Sequence, residues 1–239
     1  MTVDILAIGA HPDDVEIGMA GSMLVFARHK MKTAIVDLTR GELGTRGTAE
    51  IREREAAQAA ERMRLSAREN LGLPDGHVRD DDATRMALLQ LIRKYRPAVV
   101  FTHHSEDISG HPDHHACNQL VRHVCYLSGL AKITSGQERH RPAAIVYFNL
   151  ARRVFPSFVV DVTDVYPESR KVLASYASQF HNPDSKEPET YLSRANFLPH
   201  VEAMQRYYGS LIGVEFGEAF WCDRPLQLSN PLAALVPGR

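Results

Sequence analysis

The stretch Val3-Asp4-Ile5-Leu6-Ala7-Ile8-Gly9-Ala10-His11-Pro12-Asp13-Asp14-Val15-Glu16-Ile17-Gly18-Met19 begins with a short apolar run rich in β-branched residues and then breaks at a polar turn. From Val15 to Lys30 the apolar positions Ile17, Met19, Met23, Leu24 and Ala27 fall at helical spacing. The stretch therefore reads as strand, loop, helix. Its loop is Gly9-Ala10-His11-Pro12, where a dinucleotide turn would require GxGxxG.

The same rhythm recurs along the chain. Thr33 to Thr39 reads as a strand, Gly41 to Gly47 as a glycine-rich loop, and Thr48 to Leu65 as a helix started near Thr48. After the Pro74-Asp75-Gly76 turn, Asp82 is expected to cap a helix ending at Tyr95, and Pro97 opens the strand Ala98 to Thr102. Ala143 to Phe148 and Phe158 to Val162 read as further strands, and a helix is expected from Asp164 or a neighbour to Phe180. Strands alternating with helices imply an α/β, Rossmann-like fold: a mostly parallel sheet with helices on both faces, in a single domain over residues 1–239. The polar segment from His181 to Pro188 reads as a lid or a connection.

Composition narrows the function classes. Of the 239 residues, 44% are hydrophobic and 24% charged, an ordinary globular balance, and the formal net charge of −1 provides no basic field for nucleic acid or an anionic membrane. Three scattered cysteines, Cys117, Cys125 and Cys222, form no disulfide framework and suit a reducing compartment. The acidic start Met1-Thr2-Val3-Asp4 is unlike a signal peptide, and no apolar stretch is long enough to span a bilayer, so a cytoplasmic location is expected.

In an open α/β sheet, ligands bind beyond the carboxyl ends of the strands. Two polar, histidine-rich loops, residues 11–14 and 103–115, each directly follow a strand candidate. His11 and Asp14 from one loop and His114 from the other make a mixed imidazole and carboxylate set that leaves positions open on a divalent metal, as a catalytic site needs. Asp13, beside Asp14, reads as the general base for water. His111 reads as the group that stabilises an oxyanion or protonates a leaving amine, with Asp113 holding its ring and favouring its charged form. Two His and one carboxylate suit iron(II) as well as zinc.

Ala10-His11-Pro12-Asp13-Asp14 together with His111-Pro112-Asp113-His114 resembles the signature of the LmbE-like, or PIG-L, family of zinc-dependent sugar N-deacetylases. The similarity extends to the deacetylases of bacillithiol biosynthesis through His11 to Gly21, Asp37-Leu38-Thr39 and Tyr176-Ala177-Ser178-Gln179-Phe180. The resemblance implies removal of acetate from N-acetylglucosaminyl malate. It places the zinc ligands on His11, Asp14 and His114, the base on Asp13, and the electrostatic histidine on His111 with Asp113 as its partner. It also implies a substrate-contacting arginine at Arg52, a small acetylated amino sugar as partner, and a homo-oligomer. His103, His104 and His115 receive no metal role and are expected behind the ligands or on the surface. Tyr191 and Trp221 are expected to pack rather than to bind sugar.

Other readings remain. Another acetylated glycoside would use the same residues. A phosphoesterase would want a second metal or a cationic cradle. A non-catalytic sugar-binding or metal-binding module would have no use for Asp13 and His111.

Overall fold

The computed structural model describes residues 1–227. Strand β1 (Ile5–Gly9) is buried at every position because both of its faces are covered. Ile5 and Ala7 join one apolar cluster with Met19, Met23, Phe101, Phe148 and Phe220, whereas Leu6 and Ile8 join a second with Leu88, Ile92, Leu120 and Val124. A strand buried on both sides needs no polar alternation, which explains the unbroken apolar run in the sequence. Each fully buried side chain of this size stabilises the fold by roughly 1.5–3 kcal/mol.

β1 lies inside a seven-stranded sheet, between β2 (Thr33–Thr39) and β4 (Val99–His103), parallel to both. β3 (Ala67–Leu73) extends the sheet beyond β2, and β5 (Ala144–Phe148) beyond β4, again in parallel. β6 (Phe158–Asp161) forms the edge beyond β7 (Gly217–Cys222), and β7 runs antiparallel to both β5 and β6. The order β3-β2-β1-β4-β5-β7-β6 reverses direction between β1 and β4, so the loops after those two strands share one crevice.

Helices cover both faces. α1 (Asp14–Arg28), α2 (Ala49–Met63), α5 (Tyr166–Leu173) and α6 (Phe197–Ile212) contribute to the first cluster, and α3 (Asp82–Tyr95) and α4 (Pro112–Leu127) to the second. Thr48 caps α2 by accepting the Ile51 N–H at 3.3 Å. α3 is capped one residue earlier than expected, by Asp81, which shares a reciprocal capping box with Thr84. Such caps contribute about 1 kcal/mol each.

α1 is broken at Met19, where φ is −157° and ψ is 26°. The Gly21 and Ser22 N–H groups beyond the break are accepted by the Glu218 carboxylate of β7, at 2.9 and 2.6 Å. A side chain at Gly21 would put its Cβ 2.8 Å from Val162 Cβ, so only glycine lets the helix approach this closely.

The helix expected to reach Phe180 stops at Leu173. Beyond it, tertiary hydrogen bonds replace helical ones: Tyr176 donates to Glu16 at 2.7 Å, Ser178 to Glu55 at 2.7 Å, and the Gln179 amide to the Arg46 carbonyl at 2.8 Å. β3, α4, α6 and β7 were not anticipated. The segment from His181 to Pro188 has no regular structure, and Glu187 accepts the Gly47 N–H at 3.0 Å, tying it to the glycine-rich loop. All three cysteines are free, with Cys117 and Cys125 buried. Among the described residues no helix is long and apolar enough to cross a membrane.

Candidate active site

The first loop leaves β1 and enters α1 through Asp13, whose φ of 111° is rare for a residue with a side chain and is tolerated best by Asp and Asn. Arg52 of α2 holds this turn. Its Nη2 donates to the Pro12 carbonyl at 2.5 Å and lies 3.2 Å from Asp13 Oδ2, while Nη1 donates to the Gly41 carbonyl at 3.1 Å. Gly41 has φ +67°, and a Cβ there would lie 2.0 Å from Arg52 Nη1, so a glycine is needed for the guanidinium to pass.

The second loop leaves β4 and enters α4. His111 is the N-cap of α4, and its Nδ1 accepts the Asp113 N–H at 3.2 Å, which leaves the proton of the neutral ring on Nε2. His114 follows one turn later, with Nε2 3.0 Å from Asp14 Oδ1 and Nδ1 3.0 Å from Asp107 Oδ1. His103, at the end of β4, stacks on His114 with centroids 3.9 Å apart. Its Nδ1 is 3.2 Å from Asp107 Oδ2 and its Nε2 3.2 Å from Asp14 Oδ2. His11 places Nδ1 3.3 Å from Asp14 Oδ2, and Nε2 3.1 Å from Asp75 Oδ1 and 3.4 Å from Asp113 Oδ2.

All these side chains are buried except His111, which opens to solvent. Burial pushes the Asp13 carboxyl up to about 7, with Arg52 and His11 opposing the shift and Asp14 reinforcing it. Burial acts the same way on Asp14, yet His114, His103 and His11 outweigh it and hold Asp14 well below the usual carboxylate range. For His114, burial favours the neutral ring, but Asp14 and Asp107 raise its pKa to about 10. Burial, and then repulsion from His11 and His114, lower that of His111.

The donor set fits a divalent cation. Ligand atoms come within 4.8 Å of one another in three overlapping groups: His11, His111 and His114; Asp14, His103 and His114; and His11, Asp75 and Asp113. Imidazole and carboxylate together suit zinc, iron(II) and similar ions. His103 Nε2 lies 3.3 Å from the Ala10 nitrogen and 3.2 Å from Asp14 Oδ2. Buried Asp13 Oδ2 and His11 Nε2 make ion-pair contacts, with Arg52 and with Asp75 and Asp113, but no hydrogen bond. A cation is the kind of group that satisfies such an arrangement.

The structure brings His11, Asp13, Asp14, His111, Asp113 and His114 together, and two of the expected contacts differ. Asp113 does not hold the His111 ring: its carboxylate accepts the Gly76 and Val78 N–H groups at 2.7 and 3.2 Å and faces His11. Burial, with His11 and His114 nearby, favours the neutral form of His111. Arg52 is buried against Asp13 and two carbonyls instead of standing free for substrate. His103 is fully buried at the centre of the site, His104 is buried edge-on to Trp221 at 5.3 Å, and His115 is exposed. Asp107 and Asp75 were missed. Asp107 lies inside the histidine-rich loop, four residues after His103, which was the available signal; Asp75 looked only like part of a turn.

The GlcNAc-PI de-N-acetylase family, PIG-L, matches residues 6–125, a span that includes both loops and Arg52. The chain belongs to the PIG-L family. Its fold superposes on the conserved protein TT1542 of Thermus thermophilus with a TM-score of 0.86 and 33% identity, over 96% of this chain and 98% of that one. The diacetylchitobiose deacetylase of Thermococcus kodakarensis is 25% identical over 228 residues, 90% of this chain and 80% of that protein. A probable N-acetyl-α-D-glucosaminyl L-malate deacetylase 2 of Bacillus anthracis is 25% identical over 189 residues, 74% of this chain and 81% of the relative. The last two are named as deacetylases of different acetylated amino-sugar substrates, so likeness at this level does not choose between them.

Proposed function

We propose that this chain is a metal-dependent deacetylase of acetylated amino-sugar conjugates, with N-acetylglucosaminyl malate as its substrate. The observation that supports the chemistry is the pairing of a buried Asp13 carboxylate with a cluster of metal-ligating side chains, inside the span shared with the PIG-L family. The malate conjugate is supported by the sequence resemblance and by a relative of that name. The diacetylchitobiose deacetylase favours a second reading, a neutral acetylated disaccharide.

On this reading His11, Asp14 and His114 hold the cation. When bound, zinc or iron(II) supplies Lewis acidity, polarising the acetyl carbonyl and lowering the pKa of water. Asp13 takes the proton of the attacking water, held ready by Arg52, and returns it to the departing amine, so that water and amide become acetate and a free amino sugar. His111 presents its Nε2 proton to the carbonyl oxygen as negative charge develops. Its neutral state suits a hydrogen-bond donor. Asp107 and Asp75 orient His114 and His11 from behind. The proposal includes a cytoplasmic homo-oligomer, and light scattering reads the assembly state.

The test is acetate release from N-acetylglucosaminyl malate, N,N′-diacetylchitobiose and plain N-acetylglucosamine by metal-loaded protein, beside Asp13→Ala. Turnover that falls by about 10²–10⁴ in Asp13→Ala while metal stays bound supports the mechanism. No turnover of any sugar by protein shown to hold metal refutes it.

A further inference from the structure

A cleft of about 880 Å³ opens beside His111 and Asp107, walled by Ile108, Tyr191, Arg152 and Arg153. We propose that this cleft is the subsite for the group attached to the sugar, and that Arg152 grips a carboxylate there, making an anionic glycoside the preferred substrate. The inference rests on the deacetylase reading above.

Its position is set by the backbone. The segment leading to Arg152 is stitched to the segment bearing Asp107: Phe148 O accepts the His104 N–H at 3.0 Å, Asn149 O the Ile108 N–H at 3.1 Å, and Glu106 O accepts the Ala151 N–H at 3.0 Å. An isolated bridge joins Asp107 to Leu150. Asp107 in turn holds His114 and His103. A group bound at Arg152 is therefore registered against the cluster that would hold the metal.

The charges in the cleft are unevenly committed. Glu106 is occupied by Arg153, at 2.7 Å, and Asp107 by its two histidines. Arg152 meets the His200 imidazole at 3.1 Å, and among the described residues no carboxylate pairs with it. Arg52, the arginine first expected to grip the substrate, is buried and bonded to Pro12, Gly41 and Asp13. An exposed guanidinium beside a reaction site offers a planar fork matched to a carboxylate. Tyr191, 59% exposed and edge-on to Phe197, offers an aromatic wall next to it.

The test compares wild type with Arg152→Ala and Arg152→Lys, metal-loaded, on N-acetylglucosaminyl malate and neutral N,N′-diacetylchitobiose. Arg152 is exposed, so folding should tolerate both substitutions. We expect the kcat/KM ratio of the malate conjugate over the disaccharide to fall by about tenfold or more in Arg152→Ala, through KM, with partial recovery in Arg152→Lys. Calorimetric Kd values for the same two sugars should move in parallel, and the wild-type preference should shrink with added salt. An unchanged ratio, or equal losses on both sugars, overturns the proposal. If wild type deacetylates neither sugar, the deacetylase reading fails. The Kd for the malate conjugate then still decides the subsite: no binding, or binding indifferent to Arg152, rejects it.

Discussion

Asp107 Oδ1 lies 3.0 Å from His114 Nδ1, on the side of the ring opposite the Nε2 that faces Asp14. A carboxylate behind a metal-facing imidazole fixes its tautomer and raises its basicity. Asp107→Asn should therefore weaken metal binding by about 10–100-fold while the fold persists. Competition with a chelator of known affinity measures this, and wild-type affinity in the variant would sink the assignment.

Metal uptake should be coupled to protons. Without metal, the Asp14 and Asp107 carboxylates overcome burial and raise the His114 pKa to about 10, so the ring is protonated at neutral pH. A cation must displace that proton, and apparent affinity should rise as pH increases toward the raised value. Calorimetry in buffers of different ionisation enthalpy should record proton release; affinity that is flat with pH would count against His114 as a ligand. Chelation should abolish turnover, and zinc or iron(II) should restore it.

Arg52 should set the acidic limb of the rate profile. Burial pushes Asp13 up to about 7, and Arg52 is the largest influence pulling it back. A base works only when ionised, so kcat/KM should fall as pH falls through this value. Removing the positive charge in Arg52→Met should move the limb to higher pH, and for every pH unit that it moves the rate on the acid side should drop about tenfold. The kcat/KM profiles of the two proteins read the displacement. An unmoved limb would separate Arg52 from Asp13.

Glu218 predicts a stability trend. Burial pushes its carboxyl from the ordinary 4.5 to about 7, against the Ser22, Gly21 and Gln205 donors that pull it down. The folded chain thus keeps a proton that the unfolded chain loses between these values. The contribution is fully present below the unfolded value and is lost as pH rises through about 7, by up to about 3 kcal/mol. Glu218→Gln cannot titrate, so its unfolding free energy should decline less over this window than that of wild type. Parallel pH dependences in denaturant titrations would refute this origin.

The legible parts of the fold were those whose signal is local. The apolar run from Ile5 to Gly9 and the helical spacing after Val15 announced a doubly covered strand and its crossover. β3, Ala67 to Leu73, was not legible because it is an edge strand, with Arg68 turned inward to Asp37 and Glu16 and Glu69 outward to Lys94. β7 includes a buried Glu218 where an apolar residue is the norm, and that glutamate makes sense only beside the broken helix it caps.

By itself, the sequence determined the units β1, α1, β2, α2 and α3 together with β4, β5 and β6, and put His11, Asp13, Asp14, His111 and His114 in the loops that follow β1 and β4, because hydrophobic period and turn chemistry are properties of neighbours along the chain. Only the tertiary structure decided that Asp75 and Asp107 stand behind the histidines, that Asp113 faces His11 and not His111, that Arg52 is bound to Asp13, and that Arg152 faces an open cleft. Those relationships join residues that lie far apart in the chain or on different sides of a turn. They follow from which strands pair and how loops pack at the switch between β1 and β4, and single-residue chemistry does not encode them.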